Sequence, residues 1–371
     1  MSAQPKRGDS TRTVRAGLPE SRQGEPILPG PVFAAPFHLR GDPEEAPFVY
    51  GRYGNPTWRR YEQALGELED ADAVLFASGM AAASALLLTR LRPGSVLAVD
   101  ASCYLNVRRL ASTHLEPRGV EVRLTPASEL DQAVRGADML WMETPSNPKL
   151  EVYDIAALAE AAHGDGAFVV VDNTTAGPLL QRPLDLGADA TLTSATKQMS
   201  GHADLLLGYV TTRDPEEAQR LRDWRRDAGA IPGPFEAWLA HRSLPTLAIR
   251  LARSCANAGA IAELLAARDD VAAVHYPGLV ADPGHAVARR QMRGFGMLVS
   301  LELRSRERAE RFLEGAELVT QATSFGSVHT TAERRARWRG DDVSEGFIRL
   351  SAGCEDPDDL LADVAGALDA A

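Results

Sequence analysis

Between residues 73 and 211 one pattern recurs: short apolar runs at 73–76, 96–99, 120–124, 139–142, 168–171, 190–193 and 205–211, most of them separated by helical segments. Several runs, Phe168-Val169-Val170-Val171 among them, are continuous instead of alternating. Such a strand is covered on both faces, as in a sheet flanked by helices. The expected fold class is α/β, with a mostly parallel, doubly wound sheet domain. Ligands of such sheets bind beyond the carboxyl ends of the strands, which singles out Ser78, Glu143, Asp172 and Ser194. A helix is expected over 61–69. After Pro232-Gly233-Pro234 comes a helix-rich stretch, 235–269, then strands near 297–303 and 347–350 around a helix, a smaller C-terminal α/β domain. Residues 1–46 hold seven prolines with scattered glycine and read as an extended arm of the kind that embraces a partner. The expected boundaries are thus 1–46, 47–234 and 235–371.

Composition narrows the function. A chain of 371 residues, with 44% hydrophobic and 25% charged, has the balance of a soluble globular protein. Its net charge of -11 argues against affinity for nucleic acid or an anionic membrane. No apolar run reaches the roughly 20 residues that cross a bilayer, and the opening MSAQPKRGDS lacks the apolar core of a secretory signal, so a cytoplasmic location is expected. Cys103, Cys255 and Cys354 are too scattered to signal a zinc site or disulfide framework. The lysines are Lys6, Lys149 and Lys197, which leaves three candidates for any amine chemistry.

Three segments carry that chemistry. In LFASGMAAA a strand, a Ser-Gly turn and a helix follow one another, so Gly79 and Met80 offer backbone N–H groups to an anion at a helix start. In FVVVDNTT an aspartate, Asp172, ends a buried strand and needs a positive partner there. In TLTSATKQMSGH the next strand ends beside Ser194, Thr196 and Lys197. A phosphate cradle, a carboxylate for a ring nitrogen and an amine for a Schiff base are together what pyridoxal phosphate requires. Lys6 lies in the arm and Lys149 in a loop after Asn147-Pro148, so Lys197 is the choice.

The sequence resembles the pyridoxal-phosphate enzymes of cysteine and methionine metabolism, the cystathionine gamma-lyase and gamma-synthase family. The resemblance runs in order through YGRYGNPT (50–57), ASGMAA (77–82), ETPSNP (143–148), VVDNT (170–174), RPLDLGAD (182–189), SATKQMSGH (194–202), YPGL (276–279) and RLSAGCEDPDDL (349–360). It implies an aspartate-aminotransferase-like fold, pyridoxal 5'-phosphate as cofactor and a homo-oligomer, at least a dimer and by family habit a tetramer. By the same resemblance Lys197 joins the cofactor and shuttles protons, Asp172 pairs with the pyridine nitrogen, and Gly79, Met80, Ser194 and Thr196 hold the phosphate. Tyr50 and Arg52 reach the phosphate of a neighbouring subunit. Tyr104 stacks on the ring and protonates the leaving group, Asn147 contacts the ring hydroxyl or the substrate carboxylate, and Arg349 binds that carboxylate with Ser324 beside it.

The implied reaction is γ-elimination on a sulfur-containing amino acid: L-cystathionine to cysteine, 2-oxobutanoate and ammonia. L-methionine as substrate, or γ-replacement by a synthase, are the alternatives. Two departures bear on the choice. Tyr104 is followed by Leu105-Asn106-Val107 where the family has Gly-Gly-Thr or Gly-Cys-Thr, and His329 stands where cystathionine gamma-lyases have a glutamate, making it a candidate specificity residue. Arg334, Arg335, Arg337 and Arg339 read as a solvated face or salt-bridged loop. A nucleotide-dependent oxidoreductase would need a GxGxxG turn after the first strand, which ASGM does not supply. A non-catalytic cofactor-binding regulator is opposed by the combination of Lys197, Asp172, Tyr104 and Arg349.

Overall fold

The computed structural model describes residues 7–338 and 340–371, and of Ala127 only the backbone. Lys6 and Arg339 lie outside the described residues. Each of the seven apolar runs contributes to a strand: β1 (Asp72–Phe76), β2 (Val96–Asp100), β3 (Glu121–Thr125), β4 (Met139–Glu143), β5 (Phe168–Asp172), β6 (Ala190–Thr193) and β7 (Gly208–Thr212). They form one sheet in the order β1-β7-β6-β5-β4-β2-β3. β7 is antiparallel to both its neighbours, and the remaining pairings are parallel.

The period of two along each strand explains the continuous apolar runs. Val170 packs with Val99, Trp141 and Leu192 on one face, under the helices Gly79–Arg90 and Pro215–Ala228. Val169 and Val171 pack with Leu140 and Met142 on the other, under the helix Ile155–Gly164. Both faces are therefore core, and each such valine buried contributes about 1.5–3 kcal/mol. β3, at the edge, departs from this: its Leu124 is exposed.

A second sheet comprises β8 (Ala273–His275), β9 (Leu298–Glu302), β10 (Thr320–Gln321), β11 (Thr331–Arg334) and β12 (Phe347–Ser351), in the order β10-β11-β12-β9-β8. Apart from the β10–β11 pair it is antiparallel. Here the alternation decides the site. Ile348 and Leu350 of β12 join Val299 and Leu301 in a core with the helices Leu247–Ala266, Arg306–Gly315 and Pro357–Ala370. Arg349 and Ser351 therefore project from the opposite face, toward the first sheet.

The first 46 residues are not wholly extended. Asp9–Arg15 forms a helix whose Thr13 is buried, and the Ala16 carbonyl that follows meets His241 Nε2 at 2.9 Å. The seven residues between Gly8 and Ala16 contain no proline, so the density of prolines around them misled the expectation of an extended chain. Beyond that helix the arm is mostly exposed, with Ile27 and Phe33 facing solvent and the Phe33 ring 6.5 Å from that of Phe235. No helix among the described residues is long and apolar enough to cross a membrane.

Candidate active site

Because β1, β2, β4, β5 and β6 run in one direction, their carboxyl ends share one edge of the sheet. Glu143 and Asp172 are register partners there, on neighbouring strands. Ser78 follows β1 and caps the helix Gly79–Arg90, its Oγ accepting from Ala81 N–H at 3.1 Å. Lacking an intrahelical acceptor, the first N–H groups of this helix, those of Gly79 and Met80, are available to an anion. Gly79 allows close approach: a Cβ on it would lie 3.0 Å from Ser194 Cβ and 3.2 Å from Ser194 Oγ. Gly79, Met80 and Ser194 are thus brought together. The Thr196 hydroxyl, beside them, pairs with the backbone of Leu207, donating to its carbonyl at 3.2 Å and accepting from its N–H at 3.0 Å.

Asp172 is buried, and burial pushes its carboxyl up to about 6, against the lowering effect of Thr174 and Lys197. Thr174 N–H donates to Asp172 Oδ1 at 3.0 Å. The Asp-Asn-Thr turn carries this signal in sequence, although Thr174 escaped notice there. Glu143 is also pushed up, first by burial and then by the charge of Asp172, while its Oε2 accepts the Tyr104 N–H at 2.6 Å. Two carboxyls at adjoining strand ends resist double ionisation.

Lys197 donates from Nζ to Ser324 Oγ at 2.6 Å, with the Phe325 ring 4.9 Å from the amine. Burial, reinforced by the charge of Arg349, brings its ammonium down to about 8. Ser324 has φ 78°, in the left-handed region. Gly326, also left-handed, lies so close to the lysine's segment that a Cβ on it would come 2.5 Å from Gln198 N. Beside the Lys197–Ser324 contact, a second link to the first sheet is made by Asn147 Oδ1, which accepts from Arg349 Nη1 at 2.6 Å, while the Ser324 carbonyl accepts from Arg349 Nη2 at 2.7 Å. Arg349 is buried, its Nε has no partner among the described residues, and burial lowers its guanidinium to about 10. A buried donor without an acceptor is costly, and a carboxylate ligand offers the matching oxygens.

Tyr104 is exposed and its hydroxyl accepts from Asn106 Nδ2 at 3.0 Å. Tyr50 and Arg52 lie elsewhere: Tyr50 is exposed, and Arg52 donates to the Arg226 carbonyl at 2.9 Å at the end of the helix Pro215–Ala228. His329 is exposed, with its N–H directed to Ser327 Oγ, whereas its neighbour Thr330 is buried and fixed by Glu355 through both N–H and hydroxyl at 2.6 Å. Of the two readings of the arginine cluster, a solvated face or a salt-bridged loop, Arg335 follows the second. It is buried, and donates to Glu333 and to Asp341. Glu333 was missed entirely, because a strand glutamate in TAERRAR looks solvent-facing until its cross-strand partner is known to be Arg349.

A family model described as the Cys/Met metabolism PLP-dependent enzyme matches residues 11–369. The chain belongs to this family. Among relatives, a Streptomyces coelicolor protein provisionally named cystathionine gamma-lyase is 54% identical over 98% of this chain and 94% of its own length. A solved cystathionine gamma synthase from Xanthomonas oryzae pv. oryzae, in complex with aminoacrylate and cysteine, superimposes with TM-score 0.95 at 35% identity over 98% of both chains. An apo methionine gamma lyase from Micromonospora echinospora gives TM-score 0.92 at 38% identity, over 98% of this chain and 99% of that one. The protein is accordingly a pyridoxal-phosphate enzyme of the aspartate-aminotransferase-like type, its cofactor is pyridoxal 5'-phosphate, and its substrate is an amino acid. The residues present fit the cofactor: an anion-binding helix start faced by Ser194, a buried carboxylate at Asp172, and a depressed amine at Lys197.

Proposed function

We propose that the chain catalyses γ-elimination on a sulfur-containing amino acid, converting L-cystathionine to cysteine, 2-oxobutanoate and ammonia. The observation that carries this reading is the bridge through Ser324, whose hydroxyl meets Lys197 at 2.6 Å and whose carbonyl meets Arg349 at 2.7 Å. A base for the Cα proton and a fork for the α-carboxylate are held within one residue of each other.

Bound in this site, pyridoxal phosphate supplies an electron sink for the charge left when substrate protons depart. Lys197 would hold the cofactor, and its amine, already depressed toward neutrality, would take the substrate's Cα proton. Asp172 would keep the ring nitrogen protonated, and Gly79, Met80, Ser194 and Thr196 would receive the phosphate. Arg349 and Asn147 seat the carboxylate, with Ser324 aligning both Arg349 and Lys197. Tyr104 would lie against the ring and protonate the sulfur that departs once a Cβ proton has also been removed. Tyr50 and Arg52 complete the phosphate site of a neighbouring subunit, in an active unit of at least two chains and an assembly of four. We place the enzyme in the cytoplasm, with no nucleic acid or membrane partner, and read 1–46, 47–234 and 235–371 as its arm, cofactor domain and C-terminal domain.

L-Methionine is the second reading. Leu105, directly after Tyr104, puts an apolar side chain where the family has glycine, which suits a thioether methyl. His329 bears on the same choice as the residue in the family's glutamate position. The test is a panel of cystathionine, methionine, homocysteine, cysteine and O-acylated homoserines, with keto acid and thiol measured together. Keto acid release from cystathionine supports the lyase; thioether formation from an acylated homoserine without keto acid would replace it by a synthase. Lys197→Ala should abolish the visible absorbance of the cofactor and all turnover while circular dichroism is unchanged, and turnover retained in that variant would remove the lysine from the mechanism.

A further inference from the structure

Glu333 is the most heavily solicited carboxylate near the site, and the reaction as described gives it no task. It faces Arg349 across the β11–β12 ladder and is almost wholly buried. Its Oε1 accepts from Arg349 Nη2 at 2.6 Å and from Arg335 Nη1 at 2.6 Å; its Oε2 accepts from Trp338 Nε1 at 2.7 Å and Arg337 Nη2 at 3.1 Å. Thr323 Oγ1 adds a longer contact to Oε1 at 3.3 Å. A buried carboxylate with this many donors has one position and stays ionised, because each donor opposes protonation.

We propose that Glu333 is the positioning residue for Arg349, fixing the direction of its guanidinium so that the buried, unpartnered Nε is presented to the substrate's α-carboxylate. The inference rests on the proposed role of Arg349. Asn147 holds Nη1, and Ser324 and Glu333 together hold Nη2, so the fork cannot turn about its stem. A carboxylate paired with Arg349 alone would cancel its charge and compete with substrate. Here Arg335 shares the same oxygen, and is itself anchored by Asp341 through Nε at 2.9 Å and Nη2 at 2.5 Å. With Arg337 also on Glu333, three guanidinium groups face the two carboxylates Glu333 and Asp341, which leaves a net positive charge for the incoming anion while the geometry stays fixed. Truncating one partner of such a buried set leaves a misdirected charge.

The experiment uses the cofactor-loaded enzyme and two probes, read by calorimetry: 4-(methylthio)butanoate, which keeps carboxylate and thioether but has no amine, and 3-(methylthio)propylamine, which keeps the amine that can join the cofactor but lacks the carboxylate. Glu333→Gln should weaken the carboxylate probe by about 10- to 100-fold, the loss of one charge-assisted hydrogen bond, and leave the amine probe unchanged. In turnover the same variant should raise KM with kcat little altered. Glu333→Asp, which keeps the charge but withdraws the acceptor, should give a smaller loss and carries the test if the glutamine variant does not fold. Arg349→Lys separates the two readings. If Arg349→Lys leaves the carboxylate probe unchanged, the role of Arg349 itself fails. If Arg349→Lys weakens that probe and neither Glu333 variant does, or if both probes weaken equally in the Glu333 variants, the positioning role is overturned.

Discussion

Ser324 concentrates three demands in one residue: a hydroxyl for Lys197, a carbonyl for Arg349 and a left-handed backbone at φ 78°. A residue with a Cβ pays about 1 kcal/mol or more for that conformation, from which glycine is exempt. Backbone and hydroxyl can therefore be separated. Ser324→Ala and Ser324→Gly should both lower kcat, since each removes the lysine's partner, yet the glycine variant should be the more stable by about 1 kcal/mol in urea unfolding. Equal kcat for wild type and both variants would show that the hydroxyl does not serve Lys197. The resemblance of the segment SFGSVHT placed Ser324 beside the substrate; its contact with Lys197 was not legible, because one residue lies in the loop after β6 and the other between β10 and β11.

At the scale of elements, the helix Pro56–Glu69 shows how far local signals reach. The expected helix covers 61–69, and the observed one begins five residues earlier, where Asn55 Oδ1 accepts from Thr57 N–H at 2.8 Å and proline occupies the first turn. Asn-Pro-Thr is a sequence-level start signal that was absorbed into a family motif instead. At its other end the helix delivers Glu69 into the core against β7, where Oε2 accepts from Thr211 Oγ1 at 2.9 Å and Oε1 has no partner among the described residues. Burial pushes this carboxyl up to about 7. The folded chain therefore binds more protons than the unfolded one between the ordinary carboxyl range and about pH 7, so stability falls as pH rises through that window. Melting temperatures measured from pH 5 to pH 8 should decline more steeply for wild type than for Glu69→Gln, in which the side chain cannot ionise. Parallel curves would remove Glu69 as the cause.

For the whole molecule, the position of Tyr50 and Arg52 is decisive. Arg52 is satisfied by the Arg226 carbonyl and by the Tyr53 ring 5.0 Å away, while Lys197 finds its partners in Ser324 and Phe325. If Arg52 serves the site of a second copy, mixing two inactive variants should restore activity. Subunits carrying Lys197→Ala and Arg52→Ala, denatured together and refolded, should regain up to about a quarter of wild-type turnover, because random pairing makes half the dimers hybrid and each hybrid has one intact site. Refolding each variant alone should give none. Absence of recovery in a mixture shown to contain hybrids would assign Arg52 to its own chain.

The continuous valine-rich runs, the strand-end aspartate and the lysine in SATK were sufficient, as sequence, to specify a two-face-covered sheet and the cofactor chemistry on its edge. These are local properties: burial on both faces is written in every residue of a strand, and the edge is simply where each run stops. What only the tertiary structure decided is the environment of Arg349. Ion pairs between residues on separate strands depend on register and on which face each residue takes. Glu333, Arg335 and Asp341 carry no mark in sequence distinguishing them from solvated charges. The same holds for the helix Asp9–Arg15, which owes its burial to packing against the helix Pro56–Glu69 and to His241, not to any periodicity of its own. Long-range pairing sets these features because a buried charge is tolerated only where the fold supplies its counter-charge.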